Sequence, residues 1–382
     1  MKYNRKSILL LIVIFSWVKL YANDLHTKIE NHIFLGEFNL ADKLIDSQLK
    51  KVNIDIENKI FLYQKKGDII KLEGDIETAL FYWEKANLLR NKVYAKNDYR
   101  RVWNFANLAT YYYEIIQPKK AKIYADSCVK FTNNLTLKEQ KEIKIHLIWN
   151  ICTQVKKQQI NDKQRWLCQK EIERDYKKSI DFQLKHKTVP YYLAKTYHLL
   201  GNSFTDIVYY NTYQTQVERK RNFDKANYYY DQAIIIWKKE FGDQHFELAK
   251  TYFLKAFLCQ TFENTNEVKL YKQTILNYKN SLNAFGINKN KEVGKIPNNQ
   301  DLLMMLRYYT EFQLRHFTTF KNKRDLIQAE KTNRKAIVVW KNFILKTNSK
   351  KINQNLAIYE LNPHKLQIEI EIEKLKLTNE LH

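Results

Sequence analysis

Nine histidines and four cysteines are the side chains of this chain best suited to nucleophilic or metal chemistry. Zinc held by thiolates calls for closely spaced pairs such as C-x-x-C, and Cys128, Cys152, Cys168 and Cys259 lie too far apart for that. A metal on one helix face calls for a second histidine four residues on, which neither His146 nor His198 has. A nucleophilic cysteine needs a base and an oxyanion-binding loop. Cys128 follows Ser127 and Cys259 follows Leu258 inside apolar helical patterns, with no glycine-rich loop nearby. Seven glycines in the whole chain leave no phosphate-cradling loop. No catalytic, cofactor-binding or metal-binding residue is therefore expected, and the expected class is not an enzyme. The cysteines read as free, buried thiols, with a Cys128–Cys152 bridge between neighbouring helices as the alternative.

The elements that would position any site are helices. Seven glycines and four prolines are few for 382 residues, while 45% of the chain is apolar. Sheets and tight hairpins consume both scarce residues. A spacing pattern supports the same conclusion. Gly74-Asp75 is followed by Ala79, Trp83 and Ala86. The pattern returns as Ala121, Tyr124/Ala125 and Cys128, as Ala226, Tyr230 and Ala233, and as Ala329 and Ala336, with a weaker copy at Val268, Tyr271 and Ile275. Gly36, Phe38 and Ala41 read as the same turn near the start. Ala79 to Ala121 and Ala226 to Val268 each span 42 residues. Positions i, i+4 and i+7 share one helix face, so the alanines admit a second helix closely and the aromatic fills the groove between them. Each such helix is preceded by another, carrying Phe105, Leu108, Ala109 and Tyr112, or Tyr197 and Leu199-Leu200-Gly201, or Leu248, Tyr252 and Ala256. A single pair cannot bury both its faces, so the pairs are expected to stack as a repeat array.

The Gly-Asp-x-x-x-Ala-x-x-x-Trp-x-x-Ala string resembles the tetratricopeptide repeat. The 42-residue period, with Trp237-Lys-Lys-Glu-Phe241-Gly242-Asp-Gln-His245-Phe-Glu-Leu-Ala249 joining two units, is similar to the kinesin-light-chain-like subclass. The resemblance covers roughly residues 23 to 345. It implies an all-α solenoid of helix–turn–helix repeats, wound as a right-handed superhelix, with ligands along the groove lined by the first helix of each pair. The groove positions on that alignment are Trp103, Asn107, Thr110 and Tyr113, then His198 and Asn202, then Phe253, Phe257 and Gln260. Asparagine can clamp an extended backbone and aromatics can anchor a ligand; the same side chains could instead pack against neighbouring helices. The expected partner is a protein or peptide, held by a non-enzymatic scaffold. In bacteria this subclass often precedes a caspase-like CHAT domain, for which the 37 residues after Leu345 are too few. The alternative is accordingly a regulatory array for a CHAT-like protease on another chain or lost from this one.

Three stretches depart from the repeat. Lys141 to Lys177 has Trp149, Trp166 and Cys168 but no clear small-residue pair. About 13 extra residues within 203–222 delay the second helix after Gly201, and a polar stretch within 280–300 lengthens the interval from Val268 to Ala329 to 61 residues. Insertions in solenoids fall on one face, often the binding face, and are equally tolerated as plain loops. Residues 346–382 read as a capping segment. Leu366-Gln-Ile368-Glu-Ile370-Glu-Ile372-Glu alternates as a half-buried strand would, while Ile368, Ile372 and Leu375 fit a helix face; after a helical array a capping helix is expected.

Residues 1–22 have the order of a secretory signal peptide: basic Lys2, Arg5 and Lys6, apolar Ile8 to Val18, then Leu20-Tyr21-Ala22 before Asn23. The expected location is secreted or periplasmic, with an uncleaved anchor as the alternative and no later transmembrane segment. Cleavage would lower the formal charge from +24 to +20. The lysines are spread along the chain, so a solvated basic surface is expected, with weak attraction to anionic surfaces and no nucleic-acid partner.

Overall fold

The computed structural model describes residues 25–159, 165–210, 214–262, 268–287, 299–346 and 362–379. Among them are sixteen α-helices and no strand. The helices are α1 (Leu25–Phe34), α2 (Phe38–Leu49), α3 (Ile56–Leu72), α4 (Ile76–Val93), α5 (Val102–Glu114), α6 (Pro118–Thr132), α7 (Leu137–Glu142), α8 (Ile145–Gln158), α9 (Arg165–Lys185), α10 (Pro190–Tyr210), α11 (Gln216–Phe241), α12 (Phe246–Phe262), α13 (Val268–Ala284), α14 (Asn299–Phe320), α15 (Lys323–Lys346) and α16 (Pro363–Asn379). A 3-10 turn, Tyr99–Arg101, precedes α5. The expected all-α helix–turn–helix repeat fold is what the chain adopts. No described helix is long and apolar enough to cross a membrane. The signal-peptide segment and most of the 280–300 stretch lie outside the described residues.

The helices fall into two compact units that divide between Ile143 and Lys144. The break lies at the start of the stretch where the small-residue pattern is degenerate. In the first unit α1/α2, α3/α4 and α5/α6 are the hairpin pairs; in the second, α8/α9, α10/α11, α12/α13 and α14/α15. First helices also pack on first helices, α1 on α3 in one unit and α8, α10, α12 and α14 in series in the other.

The turns within the pairs explain the glycines. Gly36 (φ 74°) and Gly74 (φ 95°) sit in the left-handed region, where a residue without Cβ is unstrained. The following amides, of Glu37 and Asp75, donate back to the His32 and Ile70 carbonyls at 2.8 and 3.1 Å and close the helix ends. Asp75 then caps α4 by accepting from the Thr78 amide at 3.0 Å. Ile116 makes the same turn between α5 and α6 at φ 56°, and Gln117 donates to the Tyr112 carbonyl at 2.9 Å.

The buried faces follow the repeat. Ala79, Trp83 and Ala86 are buried on α4, and Ala121, Ala125 and Cys128 on α6. In the second unit Ala226, Tyr230 and Ala233 of α11 are fully buried, Ala226 and Tyr230 in a core with Leu200, Phe204, Leu258 and Cys259. The degenerate stretch still forms a pair, because Ile172, Tyr176 and Ile180 supply the buried face of α9. None of the four cysteines is in a disulfide; Cys128 and Cys259 are buried and the other two half-buried.

Apart from Gln214 and Thr215, the described part of the insertion within 203–222 is helix. Residues 203–210 complete α10 and 216–222 begin α11, so the added length extends both arms of one hairpin. Thr215 and Glu218 form a reciprocal capping box that starts α11. The C-terminal alternation is helical too, but the buried face differs from the one the apolar spacing suggested. Leu366 and Ile370 turn inward, Ile370 against Leu314, Phe317, Leu326 and Ala329, whereas Ile368, Ile372 and Leu375 are exposed.

Candidate ligand-binding groove

The first helices of each unit are tied side by side by lysine–carboxylate pairs. In the first unit Lys65 pairs with Glu30 at 3.0 Å and Lys71 with Glu114 at 3.1 Å. In the second, Lys157 pairs with Asp206, Lys195 with Glu247 at 2.7 Å and Lys250 with Asp301 at 2.6 Å. Glu247 is completely buried and also accepts from the Tyr191 hydroxyl at 3.3 Å. Burial opposes its charge, but Lys195 and Lys250 outweigh that and hold its carboxyl well below the usual range. These pairs set the lateral spacing of the helices that line a groove.

The expected groove residues divide into those held in packing and those left partly open. Asn107 is 3% exposed. Its amide donates to Gln64 Oε1 at 2.8 Å and its carbonyl accepts from Gln64 Nε2 at 3.0 Å. Gln64 Oε1 also receives the buried Arg90 guanidinium at 2.9 Å. Asn107 therefore completes an internal polar network, because its position on α5 faces α3. His198 is buried with Nδ1 2.9 Å from the Thr251 hydroxyl, and burial pushes its pKa down to about 3. Phe253 is buried against Tyr278 and Tyr308. Trp103, Thr110 and Tyr113 on α5 and Asn202 on α10 are half-buried.

Phe257 and Gln260 lie on the wall of a cleft. It has a volume of about 510 Å3 and lies in the second unit between α10, α12, α14 and α16. Tyr209 from the extended end of α10, Phe257 from α12 and Tyr308 from α14 form an aromatic floor, with ring centroids 5.2 and 5.4 Å apart. Gln260 accepts from the Tyr278 hydroxyl at 2.7 Å, which orients its side chain. Around the floor stand Arg307, Glu311 and Arg315 of α14, Thr261 of α12, Asn362 just before α16, and Lys365 and Glu369 of α16. Arg307 Nε donates to Glu311 at 2.7 Å.

The fourth wall is secured by side chains of α15. Asn333 donates to the Pro363 carbonyl at 3.1 Å and to Gln367 Oε1 at 3.0 Å, and Lys374 pairs with Glu330 at 2.8 Å. The sequence reading missed this wall and the α14 residues. The lengthened interval before Ala329 hid the register of α14, although Arg307 and Glu311 at i, i+4 mark one of its polar faces. Tyr209 was missed because the insertion reads as a delay; the Thr215-x-x-Glu218 box, a helix start, is the signal that an arm ends just before it.

Among the described residues no three His, Cys, Asp or Glu side chains gather as a metal site would require. What the cleft offers is an aromatic floor with planar amide, guanidinium and carboxylate groups at its rim. Such an arrangement holds a ligand by stacking and hydrogen bonds.

Fold and groove together define an all-α helical-repeat protein. Comparison with known protein families and with curated proteins finds no match to the chain.

Proposed function

We propose that this protein is a non-enzymatic scaffold of the tetratricopeptide type that holds a segment of a partner protein in the cleft between α10, α12, α14 and α16. The observation that carries the reading is the Tyr209–Phe257–Tyr308 floor, an aromatic surface left open in a cleft whose remaining lining, Leu314 and Leu366 apart, is polar. Its volume is in the range of sites that enclose a few side chains. Aromatic anchors surrounded by a polar rim are the usual energetic centre of a protein interface. The helical-repeat fold, whose first helices form such surfaces, supports the same reading, as does the signal-like N-terminus for a partner met outside the cytoplasm.

The test is site-specific photo-crosslinking in the producing cell, with the crosslinker at Gln260 or Arg315. A discrete protein adduct is expected, and Phe257→Ser with Tyr308→Ser should abolish it while circular dichroism stays helical. An adduct that survives both substitutions rejects the cleft. Should the captured protein be a protease, the regulatory reading of the array gains its partner.

A further inference from the structure

The extension of α11 creates a second surface, on the opposite arm of the same insertion that supplies Tyr209. Val217, Arg221, Asp224 and Tyr228 follow one another along one face of the helix, at the spacing of successive turns. Val217 is 79% exposed and Tyr228 57%, large apolar groups that nothing among the described residues covers. Lys220 and Arg221 stand between them.

This face forms a shallow depression that adjoins another on α9, and the two meet where Glu173 receives Lys225 at 2.8 Å and the Tyr229 hydroxyl at 3.3 Å. Together the depressions are lined by seven cations and three carboxylates. Of the three, Glu173 is held by Lys177 as well as Lys225, and Asp224 by Lys220, which leaves Asp181. Lys170, Arg174 and Lys178 of α9 and Arg221 of α11 project from the same face, all exposed.

We propose that this α9–α11 face docks on an anionic lipid bilayer. The chemistry separates this occupant from a soluble polyanion. Cations alone would suit either, but an exposed valine and a tyrosine set among them fit the headgroup boundary, where aliphatic groups enter the acyl region and tyrosine stays at the interface. Juxtaposed lysines and arginines are drawn to the negative surface potential of such a membrane. The face lies away from the cleft residues in sequence and does not rest on the partner reading.

The test uses the full chain and flotation with phosphatidylcholine vesicles with and without phosphatidylglycerol. Binding is expected only with phosphatidylglycerol. Lys170→Glu with Arg221→Glu should weaken it at least tenfold, whereas Lys119→Glu with Lys122→Glu on α6, the same change of charge elsewhere, should weaken it less than threefold. Val217→Ser with Tyr228→Ser should also weaken vesicle binding severalfold, with binding to heparin unchanged. Equal binding to both vesicles, equal losses from the two charge reversals, or no loss from the serine pair overturns the proposal. The last result would identify the face as a soluble-polyanion site. Because all substituted residues are exposed, retained thermal melting checks that each variant is folded.

Discussion

Gly67 of α3 lies directly beneath the indole of Trp83 of α4: a Cβ at Gly67 would stand 2.4 Å from Trp83 Cδ1 and 3.0 Å from the Ala79 carbonyl oxygen. Gly201 has the same relationship to Tyr230, at 2.7 Å, although the chain between that pair is about 13 residues longer. The close crossing of the two helices is thus kept while the connection between them varies.

Gly67→Ala and Gly201→Ala should each lower stability by about 1–3 kcal/mol, the cost of overpacking a filled core. Helix propensity alone predicts a gain of about 1 kcal/mol for the same change. Urea unfolding decides between the two signs, and a stabilised alanine variant would contradict the contact.

Ile116 is a β-branched residue at φ 56°, 77% exposed, in the turn that Gly36 and Gly74 make elsewhere. Ile116→Gly should stabilise the first unit by about 1 kcal/mol, because glycine adopts this region without the Cβ clash. Gly74→Ala should shift the unfolding midpoint the other way. The comparison is a pair of urea titrations.

Asn107→Ala should cost about 1–3 kcal/mol, since it strips Gln64 of two buried hydrogen bonds. A variant with unchanged melting would return Asn107 to the groove surface.

His146 and His198 are both buried in the second unit, and burial pushes each pKa from 6.5 down to about 3. They stay neutral in the fold but take up protons in the unfolded chain, so stability falls as pH drops below 6.5. The slope is about 1.4 kcal/mol per pH unit for each histidine, until their folded pKa is reached. Glu247, held ionised in the fold, adds to the loss below 4.5. His146→Phe, among Phe182 and Tyr192, should remove about half of the slope between pH 6 and 5 in chemical unfolding. An unaltered slope would show that His146 is not the titrating group.

Cleavage of residues 1–22 as a signal peptide, proposed from their pattern, predicts a chain that begins near Asn23 by intact mass. Retention of Met1 would favour an anchored N-terminus.

Local pattern alone determined the helical class and the pairing of helices. The Gly74-Asp75 turn and the Ala79/Trp83/Ala86 face are short-range signals, each decided within two turns of helix, and recurrence at 42 residues marks the repeat. Tertiary structure decided which polar and aromatic positions are free. Asn107 and Gln260 look alike on a helical projection, but α3 presents Gln64 to the first, while the second opens onto a cleft. That cleft brings Tyr209, Phe257, Tyr308 and Lys365 together from four helices. Whether a first-helix side chain is buried depends on the length of its neighbours and on which helix closes the end of the row, here α16 through Ile370. Those are long-range contacts that no spacing within one repeat encodes.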